Sequence, residues 1–283
     1  MKIVFSSRIK LLIVILFIVS LVLGSHYRSR IKNVMKKILP VTVLKQPKSD
    51  KGINILFLHH STGKAIWNGG VSKYFINYNK EYNKSYQIIE QEFPKSGGNY
   101  PYDYWNIWVN HHGKQPYKKD PTLELITEKY DVIIWKHCYP VGDIKEDLNK
   151  PDIGSNIKMI ETYKLQYEAL KKKMLEFPTN KFLVWTGAQR VRNTTNEEEA
   201  KRSKYFFDWV RNEWDEPGDN IFIWDFYKLE TEGGLYFKDE YAKDSANSHP
   251  NESFSQRVSQ YFCQRIIDVI EGRGDSSQLT GEY

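Results

Sequence analysis

The chain has 283 residues, of which 40% are hydrophobic and 27% are charged, a globular composition that suits one large domain or two small ones. Its net charge of +6 is uneven, because residues 1–50 carry ten Lys or Arg and one acidic residue, whereas the remainder carries 31 basic and 34 acidic residues. A folded part with a slight negative charge excludes a nucleic-acid partner, and two distant cysteines, Cys138 and Cys263, favour buried free thiols over a disulfide scaffold.

The amino-terminal segment is apolar from Leu11 to Gly24, and basic residues flank it on both sides. Its fourteen residues match the apolar region of a signal peptide. As a helix they would span roughly 21 Å, short of the ~30 Å hydrocarbon core, although snorkelling basic side chains could stretch them into an anchor. We therefore predict that residues 1–27 are a signal peptide or membrane anchor and that 28–51 form a basic linker. The flanking charges leave the orientation open, and we favour export to the cell envelope, as a membrane-anchored or secreted protein.

Five apolar runs in the remaining chain predict buried strands. They occupy residues 54–60, 86–90, 131–135, 181–185 and 220–225. Continuous apolar strands are buried on both faces, which is typical of a parallel sheet with helices on each side.

Helical patterns follow the later strands, at residues 157–177, 195–214 and 252–271. The alternation predicts a doubly wound α/β fold with a five-stranded parallel sheet. Residues 93–121 are rich in Gly, Pro and aromatic residues and predict a long loop of functional importance. The polar residues 272–283 predict a flexible tail.

Nucleophilic acyl chemistry is indicated where the strands end. Ser61 follows the first strand and precedes Gly63, and His249 precedes the last helix. Ligands bind at the carboxyl ends of parallel strands, so a serine and a histidine that meet there could act as nucleophile and general base.

The sequence resembles the SGNH, or GDSL-like, hydrolases over residues 52–271. The resemblance is carried by Phe-Leu-His-His-Ser-Thr-Gly at 57–63, the glycine loop after the second strand, Ile-Ile-Trp-Lys-His-Cys-Tyr-Pro at 133–140, and Ser-His-Pro-Asn at 248–251. It implies a flavodoxin-like three-layer sandwich, ester hydrolysis or acyl transfer on carbohydrates or lipids, and no cofactor or metal. It also implies that Ser61 is the nucleophile and His249 the base.

Several positions depart from the family pattern. His59-His60 replaces the usual Gly-Asp before the serine, and no asparagine follows the third strand. The resemblance implies that the Ser61 N–H and Gly98 are oxyanion donors, and His137 or the Gly142 N–H could replace the missing asparagine. The acid expected three residues before the histidine is replaced by Ala246, which leaves Asp244 as the candidate third catalytic residue, a backbone carbonyl as another orienting group, or none.

Three alternatives remain open at this stage. Trp105 and Tyr104 in the aromatic segment could bind a sugar or simply pack on the sheet. Loss of the third residue and of one oxyanion donor would leave a non-catalytic glycan-binding protein. The histidines at strand ends leave a metal-dependent hydrolase as a weaker hypothesis. The preferred partner is an acylated carbohydrate or another small ester.

Overall fold

The computed structural model describes residues 52–148 and 150–282. The predicted signal peptide or anchor and the basic linker lie outside these residues and remain predictions. Within the described part of the chain, no helix combines the length and the apolar character needed to cross a bilayer.

The predicted five-stranded parallel sheet is confirmed. Its order is β2-β1-β3-β4-β5, and every neighbouring pair is parallel. This is the strand order of flavodoxin-like doubly wound folds. The strands are β1 (Ile53–His59), β2 (Tyr86–Glu92), β3 (Val132–Trp135), β4 (Lys181–Trp185) and β5 (Ile221–Trp224).

Both faces of this sheet are buried, because successive side chains of each strand point to opposite sides. In β3, Ile134 belongs to one apolar layer, whereas Ile133 and Trp135 belong to the other. These two apolar layers, one on each face of the sheet, account for the uninterrupted apolar runs. The sheet with helices on both sides forms a three-layer α/β sandwich.

Helices cover the two faces. They are α1 (Ser61–Ile66), α2 (Ser72–Tyr82), α3 (Pro101–Trp105), α4 (Leu123–Thr127), α5 (Ile160–Leu175), α6 (Glu197–Trp209), α7 (Phe226–Thr231) and α8 (Glu252–Ile270). Short π-helical turns extend α1, α3 and α6, at Trp67–Val71, Asn106–Asn110 and Val210–Trp214, and 3-10 turns lie at Tyr139–Gly142, Arg192–Thr194 and Asp239–Tyr241. A small antiparallel hairpin, β6 (Ala242–Asp244) and β7 (Asn247–Pro250), directly precedes α8.

Two segments differ from their predictions. The expected long loop at 93–121 contains α3 and its π-helical extension, whose aromatic side chains pack into the core. The expected flexible tail at 272–283 lies against β5 as far as it is described: the Thr280 carbonyl accepts from Trp224 Nε1 at 2.8 Å, and the Leu279 carbonyl accepts from Asp225 N at 2.9 Å. Its polar side chains concealed these backbone contacts.

Candidate active site

Ser61 is the first residue of α1 and follows the end of β1 by two positions. It is exposed at the carboxyl edge of the sheet. The helix leaves β1 so closely that a Cβ on Gly63 would lie 2.4 Å from the Cβ of His59. Glycine at this position therefore allows the tight strand-to-helix turn that presents the serine.

His249 comes from the β6–β7 hairpin, 188 residues later in the chain. Its Nε2 lies 2.8 Å from Ser61 Oγ, within hydrogen-bond distance. The hairpin is held by Ser248, whose hydroxyl accepts from Val191 N at 3.0 Å, and by Asn251, which caps α8 through a 2.9 Å bond from Phe254 N. The structure thus brings together the two residues that sequence analysis paired.

Asn247, not Asp244, contacts the far side of the imidazole. Asn247 Oδ1 lies 2.7 Å from His249 Nδ1. Asp244 is exposed, and its carboxylate accepts from Ala246 N at 2.9 Å across the hairpin turn. The structure corrects the predicted third residue, because Asp244 is committed to the turn that separates it from His249.

The same contacts fix the protons of the site. Asn247 Oδ1 also accepts from the backbone N–H of His249 at 3.2 Å, so the side-chain atom facing the histidine must be the oxygen. Nδ1 must then carry a proton and donate it, which leaves Nε2 with its lone pair directed at the Ser61 hydroxyl. This is the tautomer that a general base needs.

Burial lowers the pKa of His249, and the positive charges of Lys243 and Lys136 lower it further. The imidazole is therefore neutral, and able to accept a proton, to a lower pH than a free histidine. Tyr139 packs edge-on against the ring, with centroids 5.1 Å apart.

Of the predicted oxyanion donors, Gly98, His137 and Gly142 are not placed to donate. The Gly98 N–H is bound to the carboxylate of Asp103. His137 is fully buried among aromatic rings, including Tyr104 at 5.0 Å. Gly142 is buried in a 3-10 turn, where a Cβ would lie 2.8 Å from Gln189 Oε1.

Cys138 occupies the place beside the serine instead. Its Sγ lies 3.8 Å from Ser61 Oγ and 3.5 Å from Lys136 Nζ. The backbone N–H of Cys138 donates to Asn99 Oδ1 at 2.6 Å, and the N–H of Thr62 hydrogen-bonds to the thiol. The sequence predicts a buried free thiol at Cys138 but does not indicate that it lies beside Ser61.

The two predicted sugar-binding aromatics differ in accessibility. Tyr104 is fully buried, and its hydroxyl donates to the Lys136 carbonyl at 2.8 Å. Trp105 is half-buried and packs against the core and near Tyr102, with ring centroids 5.8 Å apart. The structure therefore corrects the assignment of Tyr104 to substrate binding: it is a core residue that supports the end of β3.

A cleft of about 410 Å³ opens beside Ser61 at the ends of β1 and β2. Its lining residues are all polar or charged, although their carbon atoms form most of the exposed lining. His59 is buried behind it with Nε2 2.8 Å from Glu90 Oε2, and Lys64 pairs with the other oxygen of Glu90. The lining consists of His59, His60, Ser61, Lys64, Glu90, Gln91 and Glu92.

Two adjacent histidines, His59 and His60, lie at the carboxyl end of β1, beside the same cleft. The described residues contain no group of three or more His, Cys, Asp or Glu that could hold a metal ion. His59 and His60 are bound separately, to Glu90 and to the Pro94 carbonyl at 2.7 Å.

Comparison with solved structures finds distant similarities. BT4096, described as a gut microbial diltiazem-metabolizing enzyme, aligns with 80% of this chain at 12% sequence identity and a TM-score of 0.45. The alignment covers 48% of that protein, so this chain spans about half its length. No protein-family model and no curated protein sequence matches the chain.

Proposed function

We propose that this protein is a serine-dependent esterase or acyltransferase of the SGNH type. The observation that carries the proposal is the 2.8 Å contact between Ser61 Oγ and His249 Nε2, made by residues 188 positions apart at the carboxyl edge of a parallel sheet. A hydroxyl bonded to an imidazole whose other nitrogen is held by a third group is the arrangement that activates a serine.

In the proposed reaction, Ser61 Oγ attacks the ester carbonyl while His249 Nε2 takes the hydroxyl proton. The resulting imidazolium is held by Asn247 Oδ1, and it then protonates the departing alcohol. Water or a sugar hydroxyl attacks the acyl-serine in the second half, with His249 again as base. An amide oxygen orients the ring but supplies no full negative charge, so the imidazolium is stabilised less than it would be by a carboxylate.

The proposed hydrogen-bond donor to the oxyanion is the backbone N–H of Ser61. The first-turn amides of a helix have no intrahelical acceptor, and that of Ser61 opens α1 beside the reacting hydroxyl. Gly98 could join it only by leaving the Asp103 carboxylate.

The proposed substrate is an acylated carbohydrate at the cell envelope. The cleft beside Ser61 offers imidazole, ammonium, amide and carboxylate groups, which can hydrogen-bond to the hydroxyls of such a substrate. The envelope location rests on the apolar segment at 11–24 and the basic residues around it.

A fluorophosphonate probe tests the proposal directly. We expect the wild type and Ser245→Ala to be labelled at Ser61, and Ser61→Ala and His249→Ala to resist labelling while remaining folded by circular dichroism. Ser245 is the matched control because it is an exposed serine of the neighbouring hairpin turn. Labelling of Ser61→Ala at the wild-type rate would place the reactive nucleophile elsewhere.

A second candidate function is a non-catalytic glycan-binding protein. It is favoured by two observations: an amide replaces the carboxylate behind His249, and the Gly98 N–H is already engaged. Folded wild-type protein that resists the probe but binds oligosaccharides in a calorimeter would support this function instead.

A further inference from the structure

A buried lysine and cysteine form a pair directly behind Ser61. Lys136 is fully buried, and Cys138 is 7% exposed. Their Nζ and Sγ atoms are 3.5 Å apart, and the same sulfur is 3.8 Å from the exposed Ser61 hydroxyl. A reagent small enough to enter beside Ser61 therefore reaches this thiol.

Lys136 Nζ hydrogen-bonds to Cys138 and lies over the Trp185 ring, 5.6 Å from the ring centroid. Cys138 Sγ is the one hydrogen-bond acceptor of its Nζ in the described part of the chain. Glu230 is the nearby carboxyl group, but burial raises its pKa well above the usual range, which favours its neutral form. Burial lowers the pKa of Lys136, and the neighbouring Cys138 opposes that shift. A buried ammonium without a counter-charge is costly, so the charged form of Lys136 requires a thiolate at Cys138.

The surroundings of Cys138 also favour its thiolate form. Burial alone would raise the pKa of Cys138, but the Lys136 charge and the Thr62 N–H bond outweigh it, and the net shift is downward. Low-pKa cysteines beside a lysine and close to solvent are the ones that react with oxidants and soft electrophiles.

We propose that Cys138 is a peroxide-sensitive modification site whose oxidation blocks Ser61. The thiolate sulfur attacks one oxygen of hydrogen peroxide, a new S–O bond forms, and the O–O bond breaks. Sulfur is oxidised by two electrons to sulfenic acid, and peroxide is reduced to hydroxide, which takes a proton from the Lys136 ammonium and leaves as water. The added oxygen enters the space between Sγ and Ser61 Oγ, where an ester would have to bind.

Cys263 provides an internal control. It is fully buried in α8, and burial raises its pKa well above that of a free thiol. No ion pair or hydrogen bond activates it among the described residues. Both cysteines share one folded chain, so any difference in their reactivity reports local environment.

The test treats full-length protein with hydrogen peroxide and traps sulfenic acid with dimedone, followed by peptide mass spectrometry. We expect an adduct on Cys138 and none on Cys263. In Lys136→Met, an apolar replacement of similar length, adduct formation at Cys138 should slow about tenfold or more. Thermal melting verifies that this variant is folded. Equal modification of both cysteines, or an unchanged rate in folded Lys136→Met, would overturn the proposal.

The consequence for Ser61 rests on the proposed function and is measured separately. Peroxide should slow fluorophosphonate labelling of Ser61, dithiothreitol should restore it, and Cys138→Ser should keep its own untreated rate. Equal losses in wild type and Cys138→Ser would refute the block. If untreated Ser61 never reacts with the probe, the esterase proposal fails, whereas the dimedone result still decides whether Cys138 is the modified site.

Discussion

Replacement of Asn247 by alanine tests the third residue of the proposed triad, which has an amide in place of a carboxylate. The change removes the 2.7 Å acceptor of His249 Nδ1–H and leaves the Ser61 contact in place. When His249 takes the serine proton, the bond to Asn247 becomes charge-assisted, and such bonds contribute about 1.5–3 kcal/mol. We therefore expect kcat/KM for an activated ester to fall roughly 10- to 150-fold.

Replacement by aspartate should act in the opposite direction. A carboxylate about 4 Å from the imidazolium charge would interact by about 4 kcal/mol at an effective dielectric constant of ~20, and desolvation of the half-buried side chain offsets part of this. The pKa of His249 should rise, because a negative charge favours its protonated form. In the pH profile of kcat/KM, the fall on the acid side should therefore move to higher pH. The maximal kcat/KM, at higher pH, should equal or exceed that of the wild type.

Asp244→Asn is the matched control for both variants. Asp244 is exposed and holds only the hairpin turn, so its replacement should change kcat/KM by no more than about twofold. Hydrolysis of p-nitrophenyl acetate across a pH series measures all three proteins. Full activity in Asn247→Ala, or an equal loss in Asp244→Asn, would refute the assignment of Asn247 as the residue that orients His249.

Three further outcomes can be measured on other parts of the molecule. Lys243→Gln removes a positive charge that lowers the pKa of His249, so the acid limb of kcat/KM should move to higher pH; an unmoved limb would contradict this coupling. Burial lowers the pKa of His137 from 6.5 to about 3, so the unfolded chain binds a proton that the folded chain excludes, and stability falls as pH falls through this window. His137→Phe should flatten that loss by up to about 1.4 kcal/mol per pH unit in urea unfolding, and an unchanged slope would refute it. Truncation after Gly272 removes two acceptors of the buried Arg265, the Gly274 carbonyl at 2.6 Å and the Ser277 hydroxyl at 2.7 Å. It should lower the free energy of unfolding by at least about 3 kcal/mol, whereas a flexible tail would be lost without effect.

The fold could be predicted because burial on both faces of a parallel sheet leaves a direct mark on the sequence. Runs such as Val132–Trp135 and Ile221–Trp224 have no polar residue at all, since each face packs against a separate helical layer. The helix after His249 was equally visible from its apolar spacing. These patterns reflect local burial, which is visible in the order of apolar and polar residues along the chain.

The third residue could not be predicted because it depends on a short hairpin that the sequence does not mark. Side chains two positions apart on a strand share one face, and this places Asn247 beside His249 once β7 is known. The polar run Lys243–Asn247 gave no sign of strands. Spacing alone therefore favoured the nearest acid, Asp244.

The pairing of Cys138 with Ser61 follows from the register of β1 and β3. Leu58 lies opposite Trp135 in the parallel pairing of β1 and β3. The residues three positions after Leu58 and three positions after Trp135 therefore lie side by side at the same edge of the sheet. Ser61 is three beyond Leu58, and Cys138 is three beyond Trp135. Strand order is what the apolar runs leave undetermined: if β2 had separated β1 from β3, the thiol would sit a further strand spacing of about 4.8 Å away. The position of β1 next to β3 therefore places a reactive sulfur against the proposed nucleophile, and the redox hypothesis depends on the same topology that supports the esterase.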